Sequence, residues 1–339
     1  MSPDVMRARR HGKGNTMIES EVLQNEWHVV YRSQDLDNGD VRMVRLLGQD
    51  LVLWRSGGKA MAWLDLCIHR GARLSLGHVH KNELVCPYHG WRYNNEGRCT
   101  LMPAQPSDPI PSRARAQAYH CCEQSGFIWV CLGEPANEVP VHPEWEDDNF
   151  LKVFTGPYTF EASAPRAVEN VIDVSHFPFV HDAMLGQAGA PDPIEVYDVE
   201  QTNDGLRAGP IKVSQPAGDH RRQPVESTYR FWIPRPFMPY LMKSFDAQRC
   251  FSHFMPVTPV EDDVTLMWVL TSANFDKEDG EARISARNDD VFGEDVPIVN
   301  SQRPAMIPEA LRQELHVRAD KLSVVYRRWL NELGVGGAQ

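Results

Sequence analysis

Two Cys–His pairs, Cys67-Ile68-His69 and Cys86-Pro87-Tyr88-His89, are separated by residues 70–85. No other feature limits the fold as strongly. A [2Fe–2S] centre in which two His replace two Cys on one iron needs two thiolates and two imidazoles. Such pairs can serve it only if they sit at the tips of two adjacent loops. Each loop then gives one ligand to each iron: Cys67 and Cys86 to one, His69 and His89 to the other. Gly71 and Gly90 follow the histidines, where the backbone must turn tightly and can offer N–H groups to sulfur. Ile68 and Trp91 would keep water away. Tetrahedral zinc is the alternative for two Cys and two His, although zinc fingers usually pair Cys with Cys and His with His. His78 and His80 flank nothing else that binds metal and read as surface residues.

Adjacent loops call for a β scaffold. Residues 25–32, 41–55 (broken at the Gly48-Gln49-Asp50 turn), 59–66 and 127–132 have strand character, with Gly-rich turns between short runs. A Pro- and acid-rich connector runs from Gly133 through Pro135, Pro140 and Pro143 to Asp148. The division expected is a disordered tail at 1–20, an all-β domain at 21–140 and a second domain at 141–339. The second domain mixes classes. Strands are predicted at 226–233, 249–257 and 264–273, and helices at about 281–302, kinked by Pro297, and 320–333, stopped by Gly334. In the last helix Leu322, Tyr326, Trp329 and Leu333 form a core stripe, which leaves Arg327 and Arg328 facing water. The fold class implied is α+β, an antiparallel sheet holding helices on one side.

Composition excludes several functions. The chain has 339 residues with a formal charge of −11, which argues against nucleic acid as a partner. No run approaches the ~18 apolar residues of a membrane span. Arg7, Arg9, Arg10 and Lys13 precede no apolar core, so no secretory signal is read, and Met17 is an alternative start. Seven cysteines without a signal sequence fit a reducing, cytoplasmic compartment. Cys99, Cys121, Cys122, Cys131 and Cys250 then read as free thiols. Glu144, Glu146, Asp147 and Asp148 read as a solvated linker.

A second metal motif lies at Glu169-Asn170-Val171-Ile172-Asp173-Val174-Ser175-His176-Phe177-Pro178-Phe179-Val180-His181. Two His plus one carboxylate is the facial set of non-haem Fe(II). A regular helix would not aim His176 and His181 at one ion, and Pro178 is expected to supply the bend. The carboxylate must come from elsewhere, and Asp289, Asp290, Glu294 and Asp295 compete. On a helix Val291, Asp295, Ile298 and Gln302 make an apolar stripe, whereas Asp290 shares a polar face with Glu294 and Ser301. A ligand whose charge a metal offsets belongs on the buried stripe, so Asp295 is favoured. Asp173, three residues before His176, could accept the other ring N–H of that ligand.

Together, Cys67-x-His69…Cys86-Pro87-Tyr88-His89-Gly90-Trp91 and Glu169…Asp173-x-x-His176-x-x-x-x-His181 resemble the terminal oxygenases of Rieske non-haem iron systems. The likeness runs from about Gln24 to Leu333. Within that family the chain looks most similar to single-subunit monooxygenases, namely saxitoxin-pathway C–H hydroxylases and N-methylxanthine demethylases. The local matches include Ala162-Ser163-Ala164-Pro165, Phe292-Gly293-Glu294-Asp295 and Ala319-Asp320-Lys321-Leu322-Ser323.

The resemblance implies a Rieske β domain followed by a helix-grip (START-like) catalytic domain, assembled as a homotrimer. It also points to Asp295 as the third iron ligand, with Glu169 and Asn170 near the site. Asp173 would bridge to His89 of a neighbouring subunit. Electrons would come from NAD(P)H through a separate reductase or ferredoxin, and O2 would be used on a small organic substrate. Hydroxylation or oxidative demethylation of a flat, perhaps nitrogen-bearing ring is expected, with ring dihydroxylation of aromatic acids as the alternative. An electron carrier or a ligand-binding module without chemistry is the competing class, and it would not need the full His176, His181, Asp295 set. Pocket candidates are Phe231, Trp232, Phe245, Phe251, His253, Met255, Trp268 and Asn274, although most alternate strand residues of this kind are plain core.

Overall fold

The computed structural model describes residues 20–308 and 310–335. The expected tail and the alternative start at Met17 lie outside them. After a single helical turn, α1 (Glu21–Gln24), ten short strands follow: β1 (His28–Arg32), β2 (Val41–Leu46), β3 (Gln49–Ser56), β4 (Lys59–Leu64), β5 (His78–His80), β6 (Glu83–Val85), β7 (Arg92–Tyr93), β8 (Cys99–Leu101), β9 (His120–Gln124) and β10 (Phe127–Cys131). They form three antiparallel sheets in the orders β1-β10-β9, β2-β3-β4 and β5-β6-β7-β8. Apolar residues fill both faces of β3 and β4, where Trp54 meets Trp63 edge-on at 4.8 Å. The cluster loops hang from this frame, one after β4 and the other between β6 and β7.

The rest of the chain builds one eight-stranded antiparallel sheet from β11 (Leu151–Phe160), β12 (Val199–Thr202), β13 (Gly205–Gln215), β14 (Val225–Ile233), β15 (Tyr240–Ser244), β16 (Cys250–Phe254), β17 (Val257–Glu261) and β18 (Val264–Ala273). Helices α2 (Ala164–Ile172), α3 (Phe177–Val180), α4 (Gly280–Ser301) and α5 (Lys321–Glu332) accompany it. The strands expected from sequence are present, except that 249–257 breaks at Met255-Pro256 into β16 and β17. β11 and β13 escape a periodicity search for a physical reason. Each carries a Gly-Pro step, Gly156-Pro157 and Gly209-Pro210, and at both the register shifts against the neighbouring strand. Proline cannot donate to the ladder and is tolerated there only at the bulge.

The two halves of the chain share backbone hydrogen bonds. Leu47 and Gly48 N–H groups donate to the Pro259 and Val260 carbonyls at 2.8 Å each, and the Thr258 hydroxyl donates to the Val29 carbonyl. Their apolar cores are continuous as well.

Two expectations about charged residues fail. Glu144 is not solvated. It is buried, accepts from the Tyr240 hydroxyl and lies 3.5 Å from His142, while its neighbours Glu146, Asp147 and Asp148 are exposed. Arg327 does not face water. It is buried, its guanidinium grips Glu169 through two hydrogen bonds and Glu314 at 2.6 Å, and Arg166 completes the group from α2. Arg328 is exposed, as its position off the apolar stripe implies. Removing one partner of a buried charge network leaves the others uncompensated, at a cost of about 3 kcal/mol or more. Arg327→Met is therefore expected to lower the thermal unfolding midpoint far more than Arg328→Met. A differential scanning measurement giving equal, small shifts would show that the network adds nothing.

Candidate metal centres

Both cluster loops close in the same way. Cys67 N–H donates to the Ala72 carbonyl at 2.8 Å and Gly71 N–H returns to the Cys67 carbonyl at 2.9 Å. In the second loop Cys86 N–H donates to Trp91 at 2.8 Å and Gly90 N–H to Cys86 at 3.1 Å. Gly71 and Gly90 both have φ of +68°, the left-handed turn that glycine adopts without strain. The thiols of Cys67 and Cys86 are buried, whereas His89 is exposed and His69 half-buried. The two imidazoles are 4.5 Å apart, and His69 stacks on Trp91 with planes 6° apart. Trp91 thus lies against His69 while His89 stays exposed.

Ile68 does not shield the site. At 51% exposure it points outward from the loop tip, because Cys67 and His69 on either side of it turn inward. Tyr93, absent from the sequence analysis, places its hydroxyl 3.1 Å from Cys67 Sγ. Burial raises the phenol's pKa, which keeps it a donor toward a thiolate sulfur. Tetrahedral zinc would need all donors within roughly 4 Å of one another. No three of these four meet even a 4.8 Å limit among the described residues. A two-iron cluster, with one ligand pair on each iron, fits the spread. Cys67→Ala and His89→Ala are each expected to remove the visible absorbance of the cluster while mononuclear iron persists. Colour surviving in both variants would exclude this ligand set.

The second centre is built on a helix break. α2 ends at Ile172, and Asp173 leaves it in extended conformation with φ −93° and ψ 132°. Its carboxylate accepts from Ser175 N–H at 2.8 Å and His176 N–H at 3.3 Å, which restarts the chain as the single turn α3. His176 precedes that turn and His181 follows it. Pro178 is therefore not the source of the bend. It occupies the first turn of α3, where a missing N–H costs nothing.

His176 Nε2 and His181 Nε2 approach Asp295 Oδ1 at 3.5 and 3.1 Å. Among the described residues these three are the one trio whose donor atoms lie within 4.8 Å of each other. His181 Nε2 is buried without a hydrogen-bond partner, which is what an imidazole prepared for an ion requires. The opposite ring nitrogens are held by carboxylates, His176 Nδ1 by Asp173 at 3.0 Å and His181 Nδ1 by Glu294 at 2.8 Å. Burial opposes a proton on His181, but Asp295 and Glu294 outweigh it and raise its pKa.

The competing acids separate cleanly. Asp295 is buried and receives the Asn170 amide at 3.0 Å. Asp290 pairs with Arg222 at the surface, and Asp289 accepts from the Tyr158 hydroxyl at 2.8 Å. The buried stripe of α4 runs through Ile284, Asn288, Val291, Asp295 and Val299, so Ile298 and Gln302 do not belong to it. Glu169 is committed to Arg327 through two hydrogen bonds.

A cavity of about 50 Å³ borders the trio, and a larger one of about 590 Å³ adjoins it through Phe177 and Leu185. Of the pocket candidates, His253 and Met255 line the smaller cavity. Phe231, Phe251 and Trp268 are core, and Asn274 caps the Cys250 N–H. Tyr229, Lys243, Arg287 and Asn288 also line it. A search weighted to apolar residues does not find the last three.

Residues 26–119 match the family model described as Rieske [2Fe-2S] domain, and residues 160–335, more than half the chain, match that of the vanillate O-demethylase oxygenase C-terminal domain. The chain belongs to the Rieske oxygenases. It is 33% identical to methylxanthine N1-demethylase NdmA of Pseudomonas putida over 93% of this chain and 90% of that protein. The structure of P. putida CBB5 NdmA with caffeine superposes with a TM-score of 0.81 at 31% identity, covering 92% of this chain and 91% of that one. Oxidoreductase NdmD of P. putida is 42% identical over 34% of this chain and 20% of its own length. As a Rieske oxygenase the protein carries a [2Fe–2S] cluster and a mononuclear iron site, and it uses O2 with electrons delivered by a reductase. No helix among the described residues is long and apolar enough to cross a membrane.

Proposed function

We propose that this chain hydroxylates or oxidatively demethylates a flat aromatic or N-heterocyclic small molecule, as the terminal oxygenase of a cytoplasmic, homotrimeric system fed by NAD(P)H. The observation that carries the reading is the trio His176, His181 and Asp295 opening onto a cavity in a chain 33% identical to NdmA along nearly its whole length. The division assigned is a Rieske domain at 21–140 and a helix-grip catalytic domain at 141–339. Cys67, His69, Cys86 and His89 hold the cluster, and His176, His181 and Asp295 hold the iron.

When bound, the iron supplies activation of dioxygen. The chain's own residues prepare the site for it. Asp173 and Glu294 accept the Nδ1–H of His176 and His181, which fixes the tautomer and leaves each Nε2 free to donate a lone pair. The Asn170 amide steadies one oxygen of Asp295. Asp173, partly exposed at 31% of its side chain, faces the cluster histidine His89 of a neighbouring subunit in the trimer. Glu169 braces α2 through Arg327.

Two measurements test this. Iron in excess of acid-labile sulfide is expected in the purified protein, whereas equal amounts after iron loading would leave only an electron carrier. With a reductase, O2 and a panel of N-methylated heterocycles and methoxylated aromatic acids, mass analysis should find a product oxidised by one oxygen atom or lacking a methyl group. Incorporation of two hydroxyls into a ring would replace the proposal with ring dihydroxylation.

A further inference from the structure

Two basic side chains lie in the wall of the iron-site cavity with no carboxylate in ion-pair contact among the described residues. Lys243 on β15 is 1% exposed and Arg287 on α4 is 3% exposed, and both border the cavity that holds the iron trio. The buried carboxylate of Asp219 acts on both through space, but its ion pair is with Arg221. Among the described residues Lys243 and Arg287 form no ion pair. They share a single acceptor, the Gly218 carbonyl, which Lys243 Nζ contacts and Arg287 Nη2 reaches at 3.1 Å. Arg287 Nε is buried with no partner at all.

The remaining surroundings are aromatic. Lys243 Nζ lies 5.1 Å from the Phe251 ring centre and 5.5 Å from that of Tyr229, and the Arg287 guanidinium is 5.5 Å from Phe251. Ring faces return only part of what burying a cation costs. Asp295 is the one carboxylate among the cavity-lining residues, and an iron ion would consume its charge. Burial pushes the pKa of Lys243 well below its ordinary value and Arg287 pushes the same way, while Asp219 pulls against them, so an anion bound in the cavity would hold the proton on this amine. His253, on the same wall, has its pKa lowered by burial and by both cations, and an imidazole, neutral or protonated, carries no negative charge to set against them. The ammonium has three N–H donors and the guanidinium five, so most remain available after Gly218 is served.

We infer that the substrate of this chain carries an anionic oxygen, a carboxylate or the ionised N–C=O of an acidic heterocycle, which Lys243 and Arg287 bind inside the iron-site cavity. This deepens the oxygenase reading and rests on it, since it names the charge of the molecule that occupies that cavity. An anion compensates both cations at once, and Arg287 presents the planar fork that matches a carboxylate or an amide-like oxyanion. The oxyanion anchors one edge of the ring, and the opposite edge is left to meet the iron.

Calorimetric titration of the oxygen-free holoenzyme at neutral pH tests the inference without turnover. The probes are two matched pairs: 4-methoxybenzoate with 4-methoxybenzamide, and 1,3-dimethylurate with 1,3-dimethylxanthine. The first pair reports on a carboxylate and the second on an acidic heterocycle. In at least one pair the anion is expected to bind roughly 10-fold tighter than its neutral partner, the size of one charged hydrogen bond. Lys243→Met and Arg287→Gln should each remove that preference while leaving the neutral member's affinity within about 3-fold.

Cluster absorbance and the unfolding midpoint report whether each variant is folded. If one variant fails to fold, the other still applies, and the wild-type comparison stands by itself. Equal or weaker binding of both anions in wild type, no binding of either anion at millimolar concentration, or a preference surviving in the folded variants would overturn the inference. A purely structural role for the two cations would change stability without separating anion from neutral ligand. Anion binding without any oxidised product, with a competent reductase present, would count against the proposed reaction and leave the charge preference standing.

Discussion

Asp295→Ala is expected to abolish product formation and to release the mononuclear iron, while the cluster colour and the fold remain. Asp295 is the only acid of its helix whose oxygen lies near both imidazole Nε2 atoms, at 3.5 and 3.1 Å. Its removal takes away one of the three proposed ligands and the only negative charge among them. The loss should exceed the ~10–100-fold typical of residues that merely orient a ligand. Glu294→Gln provides that milder case, since Glu294 touches only the far nitrogen of His181. Asp290→Ala should do neither, because Asp290 spends its charge on Arg222 at the surface. Iron analysis and single-turnover product yield on the three variants separate the roles. Loss of iron in Asp290→Ala but not in Asp295→Ala would transfer the ligand assignment.

The metal chemistry is legible in this sequence because it depends on residue types at fixed spacing. Cys67, His69, Cys86 and His89 announce two loops, and the structure brings those loops together with identical glycine turns. Asp295 is recoverable from helical periodicity, although only part of the proposed stripe is right: Ile298 is 50% exposed. What escapes depends on partners far along the chain. Arg327 looks like a surface residue until Glu169 and Glu314 converge on it from other elements, and no local pattern announces that. Lys243 and Arg287 carry no local signal either, yet the sheet and α4 bury both beside the iron site. Pro178 shows a third kind of error. A proline near two histidines suggests a kink, whereas the break is made three residues before His176, by the carboxylate of Asp173 taking over the backbone donors of the next turn.

Asp173 therefore has two local tasks, capping α3 and holding His176, and its proposed third task lies across a subunit boundary. Asp173→Asn tests that third task. The amide oxygen can still accept from Ser175 N–H, so the turn should survive. The amide nitrogen can only donate, so it cannot replace the oxygen that accepts from His176 Nδ1 at 3.0 Å. Iron affinity should fall by at most ~10–100-fold, as for other partners of a ligating histidine, and the variant can be studied at saturating iron. Reduction of the cluster by dithionite should be normal, because Cys67, His69, Cys86 and His89 are untouched. Transfer onward to the iron site, followed as cluster reoxidation after rapid mixing with O2 and substrate, should slow severely.

Where that electron comes from is decided by mixed trimers. Chains carrying only His89→Ala lack a competent cluster, and chains carrying only Asp295→Ala lack iron. In a closed ring of three with a single direction of transfer, every mixed trimer has one junction at which an intact cluster faces an intact iron site. Such trimers should recover roughly one third of the wild-type turnover, while each parent trimer stays inactive. No recovery in verified mixed trimers would mean that electrons pass within one chain, and Asp173 would then be left with the two local tasks alone.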